Sequence, residues 1–361
     1  MLPDSDILQS KGNLVNRPSF LKKAAVVVTS AVTALSLVAC SSESGSDEPL
    51  IIYSNSTSDG RGEWLVEQAA DAGFEVEFVN LGGGDIQDRL VAEQANPMAD
   101  VVFGLNNVFF EHLKDDGVLE AYEPSWSDKV EAGIGDDEQY WPIVREPIML
   151  VYNDEAYSES DAPKDWSDLW EQDRFHNRYE VPTSMGGATT QMVLSGILSR
   201  YLDESGDLGV SEEGWSAIEA YFKNGNKAVK GTDLYARMQA GEVDAGQMWL
   251  AGKANREKEY GVQTTAVHPA IGVPMATQHI AKVAGSDNEK AEEFIDWFGS
   301  AEIQAAWSRE FFTAPVNSDA LADADQDAVE QTDSFTGQEI DWPTVAKNLP
   351  SWVEKIELQY L

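Results

Sequence analysis

Short apolar runs alternate with stretches of helical periodicity in the first part of the chain. Leu50 to Tyr53 is apolar and is followed by a polar, turn-forming loop, after which Arg61 to Ala70 keeps its apolar residues on one helical side. The same unit recurs twice, with strands over Phe74 to Val79 and Ala99 to Phe103 and helices over Ile86 to Gln94 and Val108 to Lys114. Strands that alternate with helices predict an α/β fold with a parallel sheet and right-handed crossovers.

Three polar loops follow these strands, and each is a candidate for ligand contact. In sheets of this kind ligands bind beyond the carboxyl ends of the strands, where such loops lie. Asp85, just before the second helical stretch, is predicted to be its N-cap. The loop residues predicted to contact a ligand are Tyr53, Ser54, Asn55, Ser56, Gly83, Gly84 and Asn106.

The middle of the chain contains an extended run with no helical period, Arg145 to Tyr152, which predicts a long strand. Beyond it the pattern predicts helices over Trp166 to Glu171, Gly187 to Leu202, Glu212 to Lys223 and Glu289 to Phe298, and extended segments over Val181 to Ser184, Asp244 to Trp249 and Ala276 to Val283.

Cys40, the only cysteine, follows several basic residues and a short apolar stretch from Ala24 to Leu37. This order is typical of a secretory signal, and the stretch is shorter than the roughly 20 apolar residues of a membrane helix. Leu37 to Cys40 resembles a bacterial lipobox, in which the chain is cut before the cysteine and the thiol takes a diacylglycerol. We therefore expect residues 1–39 to be a lipoprotein signal peptide and 40–49 a disordered tether. The protein would be exported and anchored by lipid on Cys40 to the outer face of the bacterial cell membrane.

The net charge of the chain indicates which kinds of molecule it binds. The full sequence carries a net charge of −38, and residues 1–39 hold four basic and two acidic residues, so the remainder carries −40. So negative a surface repels nucleic acid and anionic lipid, which disfavours both as partners. With one cysteine there is no disulfide framework, so core burial alone must stabilise the fold.

Several phrases of the sequence, by their order and spacing, resemble the ABC-transporter solute-binding proteins of the type II periplasmic-binding-protein family. The resemblance is to the branch that contains ferric-iron, phosphonate, hexose-phosphate, thiamine and polyamine receptors. The phrases are Ala99 to Phe103, Gly117 to Glu120, Ile148 to Asn153, Gly241 to Gly246 and Asn288 to Phe298.

This resemblance implies a two-lobed fold, each lobe a mostly parallel sheet flanked by helices, joined by crossing hinge strands. Lobe 1 would comprise residues 50–146 and 267–313, and lobe 2 residues 147–266 and 314–361. It also implies a monomeric receptor without cofactor or catalysis, which closes on a small-molecule ligand and delivers it to an ABC permease. ATP would be hydrolysed by the separate ATPase subunit.

The most informative candidate site is the segment from Val181 to Gln191, where hydroxyl residues and two glycines lead into a helix that begins at about Ala188. The first amides of a helix have no acceptor within it, so this terminus suits an anion. A helix capped by Thr183 or Ser184 without a ligand is the alternative. In this segment and in the strand predicted to end at Trp249, the residues predicted to contact a ligand are Thr183, Ser184, Gly186, Gly187, Ala188, Gln247 and Trp249.

The resemblance places a phosphorus oxyanion at this terminus in phosphonate and sugar-phosphate receptors, so a solute with a phosphonate, phosphate or similar anionic group is expected. Ferric receptors use adjacent tyrosines where this chain has Met248 to Gly252, and neutral amides are poor ligands for a hard ion, so no metal site is predicted. Arg61 and Arg145 would support an anion if they face the cleft.

Three alternatives stay open, and one of them is a ferric-iron receptor of the same family. A cationic ligand such as thiamine or a polyamine would use Trp249 with the carboxylates of Asp59 and Asp85. A secreted hydrolase is the third alternative, and Ser184 with His279 is its only candidate pair.

Overall fold

The computed structural model of the protein describes residues 48–131, 134–135 and 138–361. The predicted signal peptide 1–39, the lipidation residue Cys40 and the predicted tether up to residue 47 lie outside the described residues. Within them, no helix combines the length and the apolar character that crossing a membrane requires.

The described residues form twelve strands and twelve α-helices, which alternate in the first part of the chain as predicted. The strands are β1 (Leu50–Ser54), β2 (Val76–Asn80), β3 (Val101–Phe103), β4 (Leu119–Glu120), β5 (Trp141–Asn153), β6 (Glu180–Val181), β7 (Leu202–Asp207), β8 (Asn226–Lys227), β9 (Ala245–Trp249), β10 (Thr264–Ala266), β11 (Met275–Val283) and β12 (Ala314–Pro315). The helices are α1 (Arg61–Asp71), α2 (Gly83–Glu93), α3 (Asn107–Asp115), α4 (Asp168–Glu171), α5 (Ala188–Leu198), α6 (Glu212–Asn224), α7 (Leu234–Gln239), α8 (Leu250–Tyr260), α9 (Lys290–Phe298), α10 (Ala301–Phe311), α11 (Gln326–Asp333) and α12 (Trp342–Gln359).

One long strand, β5, joins two parts of a mixed sheet. Its first half pairs antiparallel with β11, which continues through β3 and β1 to β2 in the order β5-β11-β3-β1-β2. Its second half pairs antiparallel with β9 and β10. The predicted parallel order holds for β1, β2 and β3, whereas the strands that join the two parts are antiparallel. We call the part packed around β1–β3 the first lobe and the part packed around β9 and β10 the second lobe.

Both faces of the sheet are covered, and the alternation of side chains explains the apolar run of β5. Ile148 and Leu150 point into one cluster of the second lobe, with the helices α5, α6 and α12, and Met149 and Val151 point into the opposite cluster, with α7 and α8. In the first lobe Val101 and Phe103 likewise lie in one cluster and Val102 in the other. The predicted bounds of the two lobes stay a prediction.

The two lobes are in contact across the cleft between them. Val108 of α3, in the first lobe, is buried in the second-lobe cluster, and Ala188 of α5 packs against the first-lobe cluster. Helix α12 buries Leu349 and Trp352 in the second-lobe cluster and also lies against α3. The two lobes are therefore in direct contact through α3, α5 and α12.

Two predicted boundaries differ from those in the structure. Asp85 is not the N-cap of α2, which is Gly82, because the chain already enters the helix at Gly83 and Asp85 lies in its first turn. There its carboxylate still interacts favourably with the helix dipole. The predicted strand over Val181 to Ser184 ends at Val181, since the next residue, Pro182, has no N–H to donate to a ladder.

Candidate functional site

A cavity of about 180 Å³ lies between the two lobes. It is bounded by the loops after β1 and β3, by β5 and β11, by the start of α5 and by the end of β9. The lining residues are Asn55, Ser56, Ser58, Asp59, Arg61, Gly104, Asn106, Glu146, Ile148, Ala188, Thr189, Met192, Trp249, Ala276 and Gln278. The volume is below the roughly 300–1,000 Å³ of pockets for drug-sized ligands, so the cavity suits a small solute.

The first-lobe wall is built from two loops that hold each other in place. Ser54 Oγ accepts the N–H of Ser56 at 3.0 Å, and Ser56 Oγ donates to the carbonyl of Gly104 at 3.2 Å. Gly104 has φ +90°, and a Cβ there would lie 2.5 Å from Ser56 Oγ. The close approach of these loops therefore requires glycine at position 104.

Asn106 lines the cavity and carries a buried hydrogen-bond donor. Its Oδ1 caps α3 by accepting the N–H of Phe109 at 3.4 Å. The side chain is only 4% exposed, and its Nδ2 has no acceptor within the described part of the chain. A buried amide donor without an acceptor costs about 1–3 kcal/mol, so this group favours an acceptor atom on a ligand.

Arg61, the first residue of α1, lines the cavity, whereas Arg145 does not. The Arg61 guanidinium is 3.5 Å from Asp59 Oδ2 and lies 5.2 Å over the ring of Phe311, with a side chain 14% exposed. Arg145 instead pairs with Asp333 and is 37% exposed. Of the two arginines considered from the sequence, the structure brings Arg61 to the cleft.

Glu146 is a carboxylate in the cavity lining, and it is not among the residues predicted from the sequence. It lies on β5, is 9% exposed, and its Oε1 accepts the N–H of Ala251 at 2.8 Å, in the first turn of α8. Burial raises the pKa of Glu146 to about 7, although the Ala251 N–H and the Arg61 charge both act to lower it. The signal in the sequence is the only carboxylate of a strand that is mostly apolar and in which Arg145 precedes it.

The start of α5 reaches the cavity with its backbone uncapped by any side chain. Ala188 and Thr189 line the cavity, and the N-cap is Gly187 in an extended conformation. Ser184 Oγ accepts only the N–H of Gly186, at 3.5 Å, so the alternative of a helix capped by Thr183 or Ser184 is not what the structure shows. The first amides of α5 are therefore available to an acceptor on a ligand.

Trp249 lies at the end of β9 and lines the cavity with part of its indole. The ring packs so closely on Gly252 that a Cβ there would lie 2.3 Å from it. The guanidinium of Arg256 lies 4.5 Å from the ring centroid and is held by Asp233 at 3.0 Å. The cation–π interaction of Trp249 is thus already made within the protein.

The other residues predicted to contact a ligand lie outside the cavity lining. Tyr53 is fully buried and donates its hydroxyl to Glu93 at 2.8 Å, and Gln247 donates to Thr190 Oγ1 at 2.8 Å. Gly83 is buried against Phe109, where a Cβ would lie 2.5 Å from the ring. Ser54 is buried behind Ser56, and the remaining positions are exposed, namely Gly84, Thr183, Ser184, Gly186 and Gly187. From the predicted set, the structure brings together Asn55, Ser56, Asn106, Ala188 and Trp249.

The structure does not bring together the pair considered for a hydrolase. Ser184 is exposed in the loop before α5, while His279 is fully buried on β11, with its ring 4.9 Å from that of Tyr140. Asp85, considered as a partner for a cationic ligand, is exposed on α2 and outside the cavity lining. Over the described ranges, no three His, Cys, Asp or Glu side chains are grouped so that they could hold a metal ion.

Comparison with known proteins identifies relatives along most of the chain. Residues 96–341 match the sequence profile of the family described as bacterial extracellular solute-binding protein. A probable ABC transporter periplasmic-binding protein of Sinorhizobium fredii, y4fP, is 34% identical over 355 residues, which cover 97% of this chain and 94% of that protein.

Two further comparisons show lower sequence identity. A putative 2-aminoethylphosphonate-binding periplasmic protein of Salmonella typhimurium is 24% identical over 294 residues, covering 77% of this chain and 82% of that protein. Among solved structures, a ferric binding protein from Campylobacter jejuni superimposes with a TM-score of 0.73 at 19% identity, over 86% of this chain and 99% of that one. At this identity the likeness shows a shared two-lobed fold.

Proposed function

This chain belongs to the bacterial extracellular solute-binding protein family, and we propose that the solute it delivers to its ABC transporter is a small molecule with a phosphonate, phosphate or similar oxyanion. Its role in transport is that of the solute-binding component, which works with a permease and an ATPase subunit. The oxyanion is the part of the proposal that the geometry of the cavity supports.

The observation that carries the proposal is the convergence of hydrogen-bond donors on one small cavity. The uncapped start of α5, Asn106 with its unpaired Nδ2, and Arg61 all contribute to its lining. These donors come from both lobes, and each suits a charged oxygen. The 2-aminoethylphosphonate that the Salmonella typhimurium relative is named for carries such a group.

The lining disfavours a bare ferric ion. Its described residues include two carboxylates and a guanidinium but no tyrosine or histidine. Ferric ion prefers several anionic oxygen ligands, and a neighbouring guanidinium repels it. We therefore propose that this protein shares the fold of the ferric binding proteins but does not bind ferric ion.

Binding itself needs no chemical step. Contacts from both lobes are made together only when the lobes are closed, so a ligand binds the closed arrangement better and shifts the population toward it. The permease would then recognise the surface of the closed, loaded protein.

We also propose that Cys40 carries a lipid that keeps the protein at the outer face of the cell membrane. The support is the order of basic residues, short apolar stretch and small residues before this single cysteine.

The test is calorimetric titration with methylphosphonate, inorganic phosphate and a phosphorylated sugar on the wild type, Arg61→Ala and Arg145→Ala. Arg145→Ala is the matched control, because that arginine lies outside the cavity. We expect Arg61→Ala to weaken binding by roughly 10- to 100-fold, which is the usual worth of a charge-assisted hydrogen bond, and Arg145→Ala to leave it unchanged. The absence of binding by any phosphorus oxyanion, or equal losses in both variants, would refute the proposal.

A further inference from the structure

Glu146 lines the same small cavity as the donors assigned to the oxyanion. We propose that its carboxyl group is protonated when the oxyanion is bound and that the O–H donates a hydrogen bond to the ligand. This inference rests on the proposed oxyanion function and adds how pH controls it. Above neutral pH the solute would bind together with one proton taken from solvent.

The balance of charge in the cavity lining favours a proton on Glu146. Among the described lining residues the charged side chains are Arg61, Asp59 and Glu146. Arg61 lies 3.5 Å from Asp59, so part of its positive charge is already balanced within the first lobe. In a cavity of about 180 Å³ an ionised Glu146 would lie close to the oxyanion and repel it. Protonation of the carboxyl removes this repulsion.

The second lobe offers no further cation to an ionised Glu146. In α8, which packs on β5, Lys253 is paired with Glu257 at 2.8 Å and Arg256 with Asp233 at 3.0 Å. All four side chains lie outside the described cavity lining, to which β9, β11 and α5 contribute neutral side chains. An ionised carboxylate would therefore add an unbalanced negative charge to the site.

The hydrogen bonding of Glu146 leaves one oxygen for the ligand. The residue is only 9% exposed, and its Oε1 accepts the N–H of Ala251 at 2.8 Å. This is the one hydrogen bond of its side chain within the described part of the protein. A protonated carboxyl combines an O–H donor with an acceptor oxygen. Oε1 can thus stay bonded to α8 while a proton on Oε2 is donated to an oxyanion.

The environment of Glu146 makes protonation easy near neutral pH. Burial raises the pKa of this carboxyl to about 7 in the free protein, although the charge of Arg61 and the N–H of Ala251 act to lower it. A neighbouring anion disfavours the ionised carboxylate, so a bound ligand raises the pKa further. The loaded protein then holds more protons than the free protein above pH 7. By linkage, the affinity falls as pH rises above 7, and below it the contribution of Glu146 is level.

Glu146 also lies where β5 passes from one lobe to the other. It pairs with Ala276 of β11, and two residues later Ile148 pairs with Trp249 of β9. A hydrogen bond from its carboxyl to a ligand that also contacts Arg61 would link β5 and α8 to the start of α1. Loss of the proton would therefore weaken a contact that the ligand makes between the lobes.

The proton is tested by comparing the wild type with Glu146→Gln over a range of pH, because the glutamine amide stays neutral and keeps a donor. We would titrate both proteins with methylphosphonate by calorimetry between pH 6 and pH 8.5. The ionisation of the ligand itself affects both proteins alike, so the ratio of their dissociation constants reports on Glu146. We expect this ratio to shift by roughly 10- to 30-fold in favour of the variant over this range, since each pH unit above the pKa reduces the protonated fraction tenfold.

A spectroscopic measurement on the wild type detects the proton without any variant. Infrared difference spectra on addition of methylphosphonate at pH 8.5 should gain the C=O band of a protonated carboxyl, and Glu146→Gln should lack it. Glu180→Gln is the matched control, because it removes a carboxylate that is paired with Arg237 outside the cavity. It should keep both the pH dependence and the infrared band of the wild type.

The possible outcomes separate this inference from the function on which it rests. Binding of methylphosphonate with the same pH dependence in the wild type and in Glu146→Gln would refute the proton and leave the oxyanion function standing. Weaker binding by Glu146→Gln than by the wild type at pH 8.5 would also refute it, because the ionised carboxylate would then be a favourable contact. Failure of the wild type to bind any phosphorus oxyanion, even at pH 6, would overturn the function and this inference together.

Discussion

His112 of α3 and Ala346 of α12 are joined by a hydrogen bond of 2.7 Å between the Nε2 of the histidine and the carbonyl oxygen of the alanine. Ala346 belongs to the second-lobe cluster, whereas α3 follows the first-lobe strand β3. The contact therefore ties the first lobe to the second at a distance from the cavity lining.

Loss of this contact is expected to open the protein. His112→Ala should reduce the closed population by about fivefold relative to the open one, because one neutral hydrogen bond stabilises by about 1 kcal/mol. Small-angle scattering without ligand should show a larger radius of gyration, and ligand affinity should fall by a similar factor. His176→Ala is the control, since His176 makes a comparable bond of 3.0 Å to Trp170 within the second lobe. Equal effects of the two changes would contradict the prediction.

The buried carboxyl of Glu146 should make stability depend on pH. Burial raises its folded pKa from 4.5 to about 7, so between these values the folded state binds more protons than the unfolded state. The free energy of unfolding therefore falls as pH rises through this window, by up to about 3 kcal/mol for this group, and is flat above it. Glu146→Gln should match the wild type near pH 4 and exceed it at pH 8. Urea unfolding at a series of pH values measures this, and parallel curves for the two proteins would contradict it.

The glycine at position 104 should be required for the cavity wall, whereas the one at position 84 should not. Gly104→Ala places a Cβ 2.5 Å from Ser56 Oγ at φ +90°, so it should destabilise the protein by about 1–3 kcal/mol and weaken ligand binding. Gly84→Ala meets nothing within 4 Å near the start of α2 and should stabilise by about 0.5–1 kcal/mol with binding unchanged. Thermal unfolding and calorimetry check both. Weakened ligand binding by Gly84→Ala would contradict this prediction and would indicate that the loop around Gly84 contacts the ligand.

The lipid anchor can be tested at its single residue. Cys40→Ser should abolish incorporation of labelled lipid and move the protein out of the membrane fraction, because the chain offers no second cysteine. Fractionation of cells that express the wild type and the variant measures this. A lipid label that persists in the variant would disprove the anchor.

A good part of this fold follows from local pattern. The apolar runs before polar loops correctly placed β1 and β3, and the helical period placed α1 and α6. The extended run from Arg145 to Tyr152 lies within β5, because a strand covered on both faces is mostly apolar and shows no helical period. Asn55, Ser56 and Asn106 reach the cavity since they follow strands that end at one edge of the sheet.

What the chain alone determined was therefore which segments are strands and helices, the order in which they recur and the family they resemble. Tertiary structure alone decided which way individual side chains face. Tyr53, beside the predicted loop, points into the core because alternate residues of β1 enter opposite clusters. Glu146 and Arg61 become groups of one cavity only in the folded chain, where β5 lies against α8 and the start of α1 lines the same cavity. The hydrophobic period and the composition of a segment indicate its local conformation. The burial and the electrostatic environment of a side chain depend instead on its neighbours, which are brought together by pairing between residues distant in sequence.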